Sequence, residues 1–287
     1  MATTEDYLLN KFNFLIDNVA PVNFQLGLIF MNKIMDGKVG FVTGSASGIG
    51  RATAIEISKQ GGVVVVSDIN REDGEETVRI IRSFGGQAEF MKADITREAD
   101  VINLIDYTVA NFGRLDFAHN NAAGAMQTME LADYDSETNR WALNMYLESM
   151  FYCLKNELLV MKGNGGGSIV NTASMAGIFG VGLSGPYVAT KHGVVGYTKS
   201  AALEYAKYGI RVNAVCPGTV LTGLTENMPK GEFDFSKLTQ AQAIKRLADP
   251  SEIAYPVVFL LSDMASYITG LIMPVDGGAG ISFASVE

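Results

Sequence analysis

Cysteine is scarce in this chain: 287 residues contain only Cys153 and Cys216. Both sit in apolar runs and form neither a disulfide framework nor a zinc-type spacing, so a reducing compartment, the cytoplasm, is expected. Histidine is as sparse. His119 and His192 have no ligand-like spacing to each other or to the cysteines, and no metal site is expected. His119 is expected to pack at a strand end. Basic charge is short as well, with 22 Lys and Arg against 31 Asp and Glu, for a net charge of -9. Without a basic cluster, such a chain repels polyanions, and nucleic acid is not an expected partner. No apolar run reaches the ~20 residues that span a bilayer. Asp17, Asn18, Pro21, Asn23 and Gln25 interrupt the first candidate, and no export signal flanks it.

What is present argues for one large domain with an attached arm. Residues 1–36 are dense in large apolar groups, among them Phe12, Phe14, Leu15, Ile16, Phe24, Leu28 and Phe30. That surface must leave water, so the segment reads as two short helices broken near Pro21 and packed on its own or a neighbouring subunit. Peripheral membrane contact and closure over an active site are the alternatives. Strand-like runs follow at Val39–Thr43, Val63–Ser67, Ala88–Lys92, Leu115–Asn120, Gly167–Thr172, Ile210–Val215 and Leu271–Val275, separated by segments mostly long enough for helices. The alternation predicts a parallel α/β sheet covered on both faces, with functional loops at the carboxyl ends of its strands. Residues 219–249 lack a strand pattern yet carry Leu221, Leu224, Met228, Phe233, Phe235 and Leu238, and read as a substrate lid over the domain of residues 37–287.

The first strand runs into Thr43-Gly44-Ser45-Ala46-Ser47-Gly48-Ile49-Gly50, where missing side chains let backbone approach a pyrophosphate at a helix amino terminus. Asp68 ends the next strand, placed to accept from a ribose diol and to repel a 2′-phosphate. Neither Ser47 nor Ile69 supplies a compensating cation, so NAD/NADH is expected over NADP, with Arg71 the residue that most limits this choice. After a further strand, Asp94 is placed near the adenine amino group and Ile95 against its ring.

The chemistry gathers downstream. Tyr187 and Lys191, four residues apart, share one face of a helix, and Ser174 stands 13 residues before Tyr187 at the end of an apolar run. A phenol has an ordinary pKa near 10, and a neighbouring ammonium favours its ionised form. Tyr187 can therefore serve as base in alcohol oxidation and as acid in ketone reduction, with Ser174 holding the reacting oxygen and Lys191 reaching the nicotinamide ribose.

Together with Asn120-Asn121-Ala122-Ala123, Asn213–Gly218 and Asp276-Gly277-Gly278, these motifs make residues 37–280 resemble the short-chain dehydrogenase/reductase family. The resemblance implies a Rossmann-type doubly wound fold with a seven-stranded parallel sheet, preceded here by the helical arm, and a homotetramer or homodimer. It also implies cofactor contacts from Asn121, Pro217, Gly218 and Val220, with Thr222, in preference to Thr219, donating to the carboxamide. Two positions depart from the family pattern. Ala123 stands where a glycine is usual, although Gly124 follows. Counting back from Phe151 and Lys155, Tyr146 stands where the helix commonly carries a catalytic asparagine that retains a water. Asn144 lies two residues away, about 200° around an α-helix. An irregular helix, a contribution from the Tyr146 hydroxyl, or a relay through another group would each account for this.

The substrate side is expected to be apolar, drawn from Met126, Met129, Met175, Val181, Leu183, Leu221, Leu224 and Met228, with Met175, Leu224 and Met228 preferred beside Ser174 and Tyr187. The catalytic pattern is similar to that of bacterial hydroxysteroid dehydrogenases. A hydroxysteroid is therefore the first expectation for the secondary alcohol or ketone, ahead of other small hydrophobic ketones. No basic docking patch favours an acyl carrier. A nucleotide-binding structural protein with little turnover is the non-enzymatic alternative.

Overall fold

The computed structural model describes residues 33–222, 239–240 and 242–281. The N-terminal arm before residue 33, and residues 223–238 and 241 of the expected lid, lie outside them. A compact unit begins at Ile34. Met35, which the sequence places in the arm, is fully buried against the domain core and donates its N–H to the Gln60 carbonyl at 3.0 Å.

The strands are β1 Val39–Thr43, β2 Val63–Asp68, β3 Gln87–Lys92, β4 Phe117–Asn120, β5 Gly167–Thr172, β6 Ile210–Pro217 and β7 Ile272–Val275. They form one parallel seven-stranded sheet in the order β3-β2-β1-β4-β5-β6-β7. Consecutive positions are apolar because both faces are covered and side chains alternate between them. Phe41 enters the cluster of Leu104, Leu158 and Ile169, whereas its neighbour Val42 enters the opposite cluster of Ile57, Ile81 and Ile253.

Helices α1 Gly48–Lys59, α2 Arg71–Ser83 and α7 Pro250–Leu261 supply the second cluster; α3 Glu98–Phe112, α5 Ser149–Gly163 and α6 Gly185–Tyr205 supply the first. Between α3 and α5, the short helix α4 Ser136–Ala142 runs into a π-helical turn, Leu143–Glu148. The last helix starts with a capping box: Asp249 accepts from the Ser251 N–H and Glu252 from the Asp249 N–H, each at 2.8 Å.

Five strand boundaries move, β2 running on to Asp68, β3 starting at Gln87 and β7 at Ile272. β4 begins at Phe117 rather than Leu115, β6 extends to Pro217, and α6 begins at Gly185, with a proline in its first turn. Because β1 pairs with β2 on one side and β4 on the other, the chain order reverses beside β1, and a crevice opens at the carboxyl ends of the strands.

Candidate active site

That crevice is a cavity of about 670 Å³. Of the residues expected to bind cofactor, Gly44, Ser47, Gly48, Ile49, Asp68, Ile69, Asp94, Ile95, Asn121, Pro217, Gly218, Val220 and Thr222 line it, together with Ser174, Tyr187 and Lys191. Gly50 stands behind the lining, where a Cβ would collide with the Gly44 carbonyl oxygen.

The nucleotide side is made largely of backbone. Gly44 has φ +64°, and a Cβ there would lie 2.6 Å from the Ala122 Cα, so the turn closes only without a side chain. Ser47 precedes α1 without a side-chain capping bond, which leaves the first-turn N–H groups for an anion. The Asp68 carboxylate is fixed at the end of β2 by the N–H groups of Ala46 and Asn70, at 3.0 and 2.9 Å. Arg71 is drawn away, bonding Glu75 at 3.0 Å with its guanidinium 5.3 Å from the Phe90 ring. Asp94 accepts from the Thr96 N–H and hydroxyl at 3.0 and 2.6 Å, and Ile95 is buried beside it. Asn121 ties this side to the sheet by donating its side-chain amide to the Thr43 and Gly44 carbonyls at 3.1 and 3.3 Å. A free turn, an anion-seeking helix end and a fixed carboxylate fit an adenine dinucleotide.

The catalytic side is made of side chains from three elements. Lys191 is 4% exposed, donates to the Thr172 carbonyl at 2.8 Å, and lies 5.7 Å from the centre of the Tyr187 ring. Burial pulls its ammonium down to about 8, opposed by Cys216. Burial also raises the Tyr187 phenol above its ordinary value, while a hydrogen bond with Ser174 pulls it back and Cys216 adds to the rise. Ser174 accepts the Ala176 N–H at 3.1 Å, which aims its hydroxyl from the end of β5. His119 is buried in β4, with Nε2 at 2.9 Å from the Thr172 hydroxyl; burial lowers it to about 3, so it is neutral and structural. His192 lies exposed on α6, Nδ1 at 2.9 Å from the Val188 carbonyl.

The helix carrying Tyr146 is irregular. The π-helical turn places Asn144 and Met145 on the cavity wall and Tyr146 behind it. Asn144, off the expected face of a regular helix, therefore reaches the site; its amide donates to Glu148 at 3.0 Å. The Tyr146 hydroxyl donates to the Gly124 carbonyl at 2.7 Å and so is committed away from Lys191. Trp141, Asn144 and Met145 are wall residues that the sequence reading missed, although their i, i+3, i+4 spacing is that of one helix face and was the signal that could have found them.

On the substrate side, Met175 is absent from the cavity wall. It starts a short 3₁₀ turn against the core, and its methyl lies 2.6 Å from where a Gly280 Cβ would stand. Met126, Met129, Val181, Leu183 and Leu221 are also absent from the wall. Leu183 belongs instead to a loop tied to the segment after β4, its carbonyl accepting from the Met129 N–H and the Tyr134 hydroxyl, each at 3.0 Å. Leu224 and Met228 fall outside the described residues.

Fold, cavity and donor set define a nicotinamide-dependent oxidoreductase, and comparison with known proteins places it further. A family model described as enoyl-(acyl carrier protein) reductase matches residues 44–280. Cyclohexanol dehydrogenase of Acinetobacter sp. (strain SE19) is 41% identical over 251 residues, covering 86% of this chain and 98% of that protein. The 2,5-dichloro-2,5-cyclohexadiene-1,4-diol dehydrogenase of Sphingobium indicum is 42% identical over 246 residues, covering 85% and 97%. The crystal structure of levodione reductase superposes with a TM-score of 0.84 at 34% identity, covering 86% of this chain and 99% of that one. The chain belongs to the short-chain dehydrogenase/reductase family and is an NAD(H)-dependent oxidoreductase.

Proposed function

We propose that this enzyme oxidises a small alicyclic secondary alcohol with NAD and reduces the corresponding ketone with NADH. The observation that carries the reading is the meeting of Ser174, Tyr187 and Lys191 in one cavity whose far end holds the Asp68 carboxylate. When bound, the nicotinamide cofactor would supply the hydride chemistry. The chain moves the proton: Tyr187 takes it from the alcohol or returns it to the ketone oxygen, and Ser174 holds that oxygen by hydrogen bonding. Lys191, nearly dry, offsets negative charge on the phenolate and orients the ribose. Gly44, Gly48 and Ile49 would hold the pyrophosphate, Asp68 the adenosine ribose, Asp94 and Ile95 the adenine, and Thr222 the carboxamide.

Trp141 and Met145 give the substrate end an apolar wall, and two of the similar proteins carry names of six-membered cyclic substrates. A hydroxysteroid presents the same alicyclic secondary alcohol at larger size. Steady-state assays across cyclohexanol, ring-substituted cyclohexanols, hydroxysteroids and acyclic secondary alcohols, each with NAD and NADP, test the reading. The highest kcat/KM should fall on a single six-membered ring with NAD. Preference for a steroid, an acyclic alcohol or NADP would overturn it.

The assembly that goes with this reading is a homotetramer or homodimer in the cytoplasm. Exposed Phe151, Leu159 and Leu203 on α5 and α6 support the first part, and the two free cysteines support the second.

A further inference from the structure

Tyr146 joins three parts of the site without lining it. Its ring meets Tyr187 edge-on, with centroids 5.2 Å apart and planes at 83°. The Lys191 ammonium lies 5.5 Å from the same ring centre, within the range of a cation–π attraction. On its other side, Trp141 stands edge-on at 5.7 Å. The hydroxyl reaches the Gly124 carbonyl, and a Cβ at Gly124 would come within 3.1 Å of the Trp141 ring, so loop and aromatic wall fit closely. The ring is 3% exposed and fills the space behind the catalytic pair, at the position where the family pattern calls for a water-holding asparagine.

We propose that Tyr146 is a positioning residue for the catalytic pair: its ring braces the Lys191 ammonium and the Tyr187 phenol and excludes water behind them, while its hydroxyl fastens the cofactor-side loop at Gly124. The proposal rests on the reading of Tyr187 and Lys191 as that pair. An asparagine offers an amide and invites a water; an aromatic ring offers a negative face and a dry wall. The two solutions hold a lysine by different physics. Three further groups act on the pair: Ser174 at the end of β5 hydrogen-bonds with Tyr187, Cys216 in β6 acts on both electrostatically, and the Thr172 carbonyl accepts from Lys191.

Three variants separate ring from hydroxyl. Tyr146→Leu and Tyr146→Met remove the ring; Tyr146→Phe keeps it. In the ringless variants kcat should fall about ten- to hundredfold through misplacement of the pair. Water reaching the phenol weakens the burial that raises it, so the acidic limb of kcat/KM for alcohol oxidation should move about half a pH unit or more toward lower pH. Tyr146→Phe should restore the wild-type limb and weaken NADH binding about two- to tenfold, through loss of one hydrogen bond to the loop. A folded, NADH-binding ringless variant with wild-type kcat and an unmoved limb would overturn the proposal. If neither ringless chain folds, phenylalanines of increasing ring fluorination at 146 preserve shape while draining the negative face. A stepwise fall in kcat then supports the brace, and constant kcat overturns it. Tyr187→Phe serves as the control: retained turnover there means that the catalytic reading itself has failed, whatever position 146 does.

Discussion

The two ends of the crevice are built differently. At the nucleotide end the decisive features are missing side chains and strand ends: Gly44 packed on Ala122, the open first turn of α1, and Asp68 held by two backbone N–H groups. At the catalytic end they are large side chains brought together from β5, the π-helical turn and α6, several of them ionisable and dry. Backbone geometry is set by short sequence patterns and tolerates little change. A side-chain cluster is set by packing, which lets one solution replace another. The family pattern is intact in the glycine turn and departs once at each end, at Ala123 on the loop after β4 and at Tyr146 behind the catalytic pair.

The comparison is broken most directly at the catalytic end. Tyr187→Phe keeps the ring but removes the transferable proton, and turnover should fall about 10²–10⁴-fold. NADH titration of the same protein should stay near wild type. A folded variant with near-normal turnover would remove Tyr187 from its role. The nucleotide end should fail in the opposite way. Gly44→Ala forces a side chain onto Ala122 at positive φ, a strain of about 1–3 kcal/mol, and should weaken NADH binding about 10–100-fold while turnover at saturating cofactor changes much less. If kcat collapsed with binding intact, the two ends would not be separable.

Asp68→Ala probes charge rather than shape. Loss of the diol acceptor should weaken NADH about tenfold and narrow the margin over NADPH, without creating tight NADPH binding, because no phosphate partner is supplied. Paired dissociation constants decide this, and an unchanged preference removes Asp68 as selector.

The smallest expected effect on turnover lies beneath the catalytic end, in Glu157 of α5. It is fully buried and accepts from the Asn120 amide at 3.0 Å; burial raises its carboxyl to about 8 against the opposing effect of Asn120. The folded chain thus holds this proton more tightly than the unfolded chain, whose carboxyl keeps the ordinary value of 4.5. The stability it contributes is complete below that value and is lost as pH rises toward about 8. Glu157→Gln removes the titration, so the variant should gain several kcal/mol, up to about 5, relative to wild type between acid and mildly alkaline pH, with turnover little changed. Denaturant melts of both proteins across that range isolate Glu157 from His119, which titrates in each. A constant difference between the two would show that Glu157 is not held neutral.

Much of this was legible beforehand. The strand runs, the glycine turn and the positions of Asp68, Asp94, Ser174, Tyr187 and Lys191 come from local patterns, and local patterns survive in one dimension. The expected substrate wall was less legible. Met175 follows Ser174 immediately, yet the 3₁₀ turn it opens carries it against the core, whereas Trp141 and Met145, one helical turn apart, reach the cavity from a segment that only the chain's path brings beside it. Asn144 and Tyr146 stand on opposing faces, as a two-residue separation requires, and the packing of the segment decides which of them meets the cavity: Asn144 lines it and Tyr146 lies behind.

By itself, then, the sequence determined the parallel α/β architecture, the glycine turn and the spacing of Tyr187 and Lys191 along one helix, because each depends on periodicity or on spacing within one element. Only the tertiary structure decided that Lys191 is dry and bonded to Thr172, that Glu157 lies buried beneath Asn120, and that the Tyr146 hydroxyl goes to Gly124 while its ring faces the catalytic pair. Burial and cross-element contact are sums over residues distant in sequence, and no local pattern carries them.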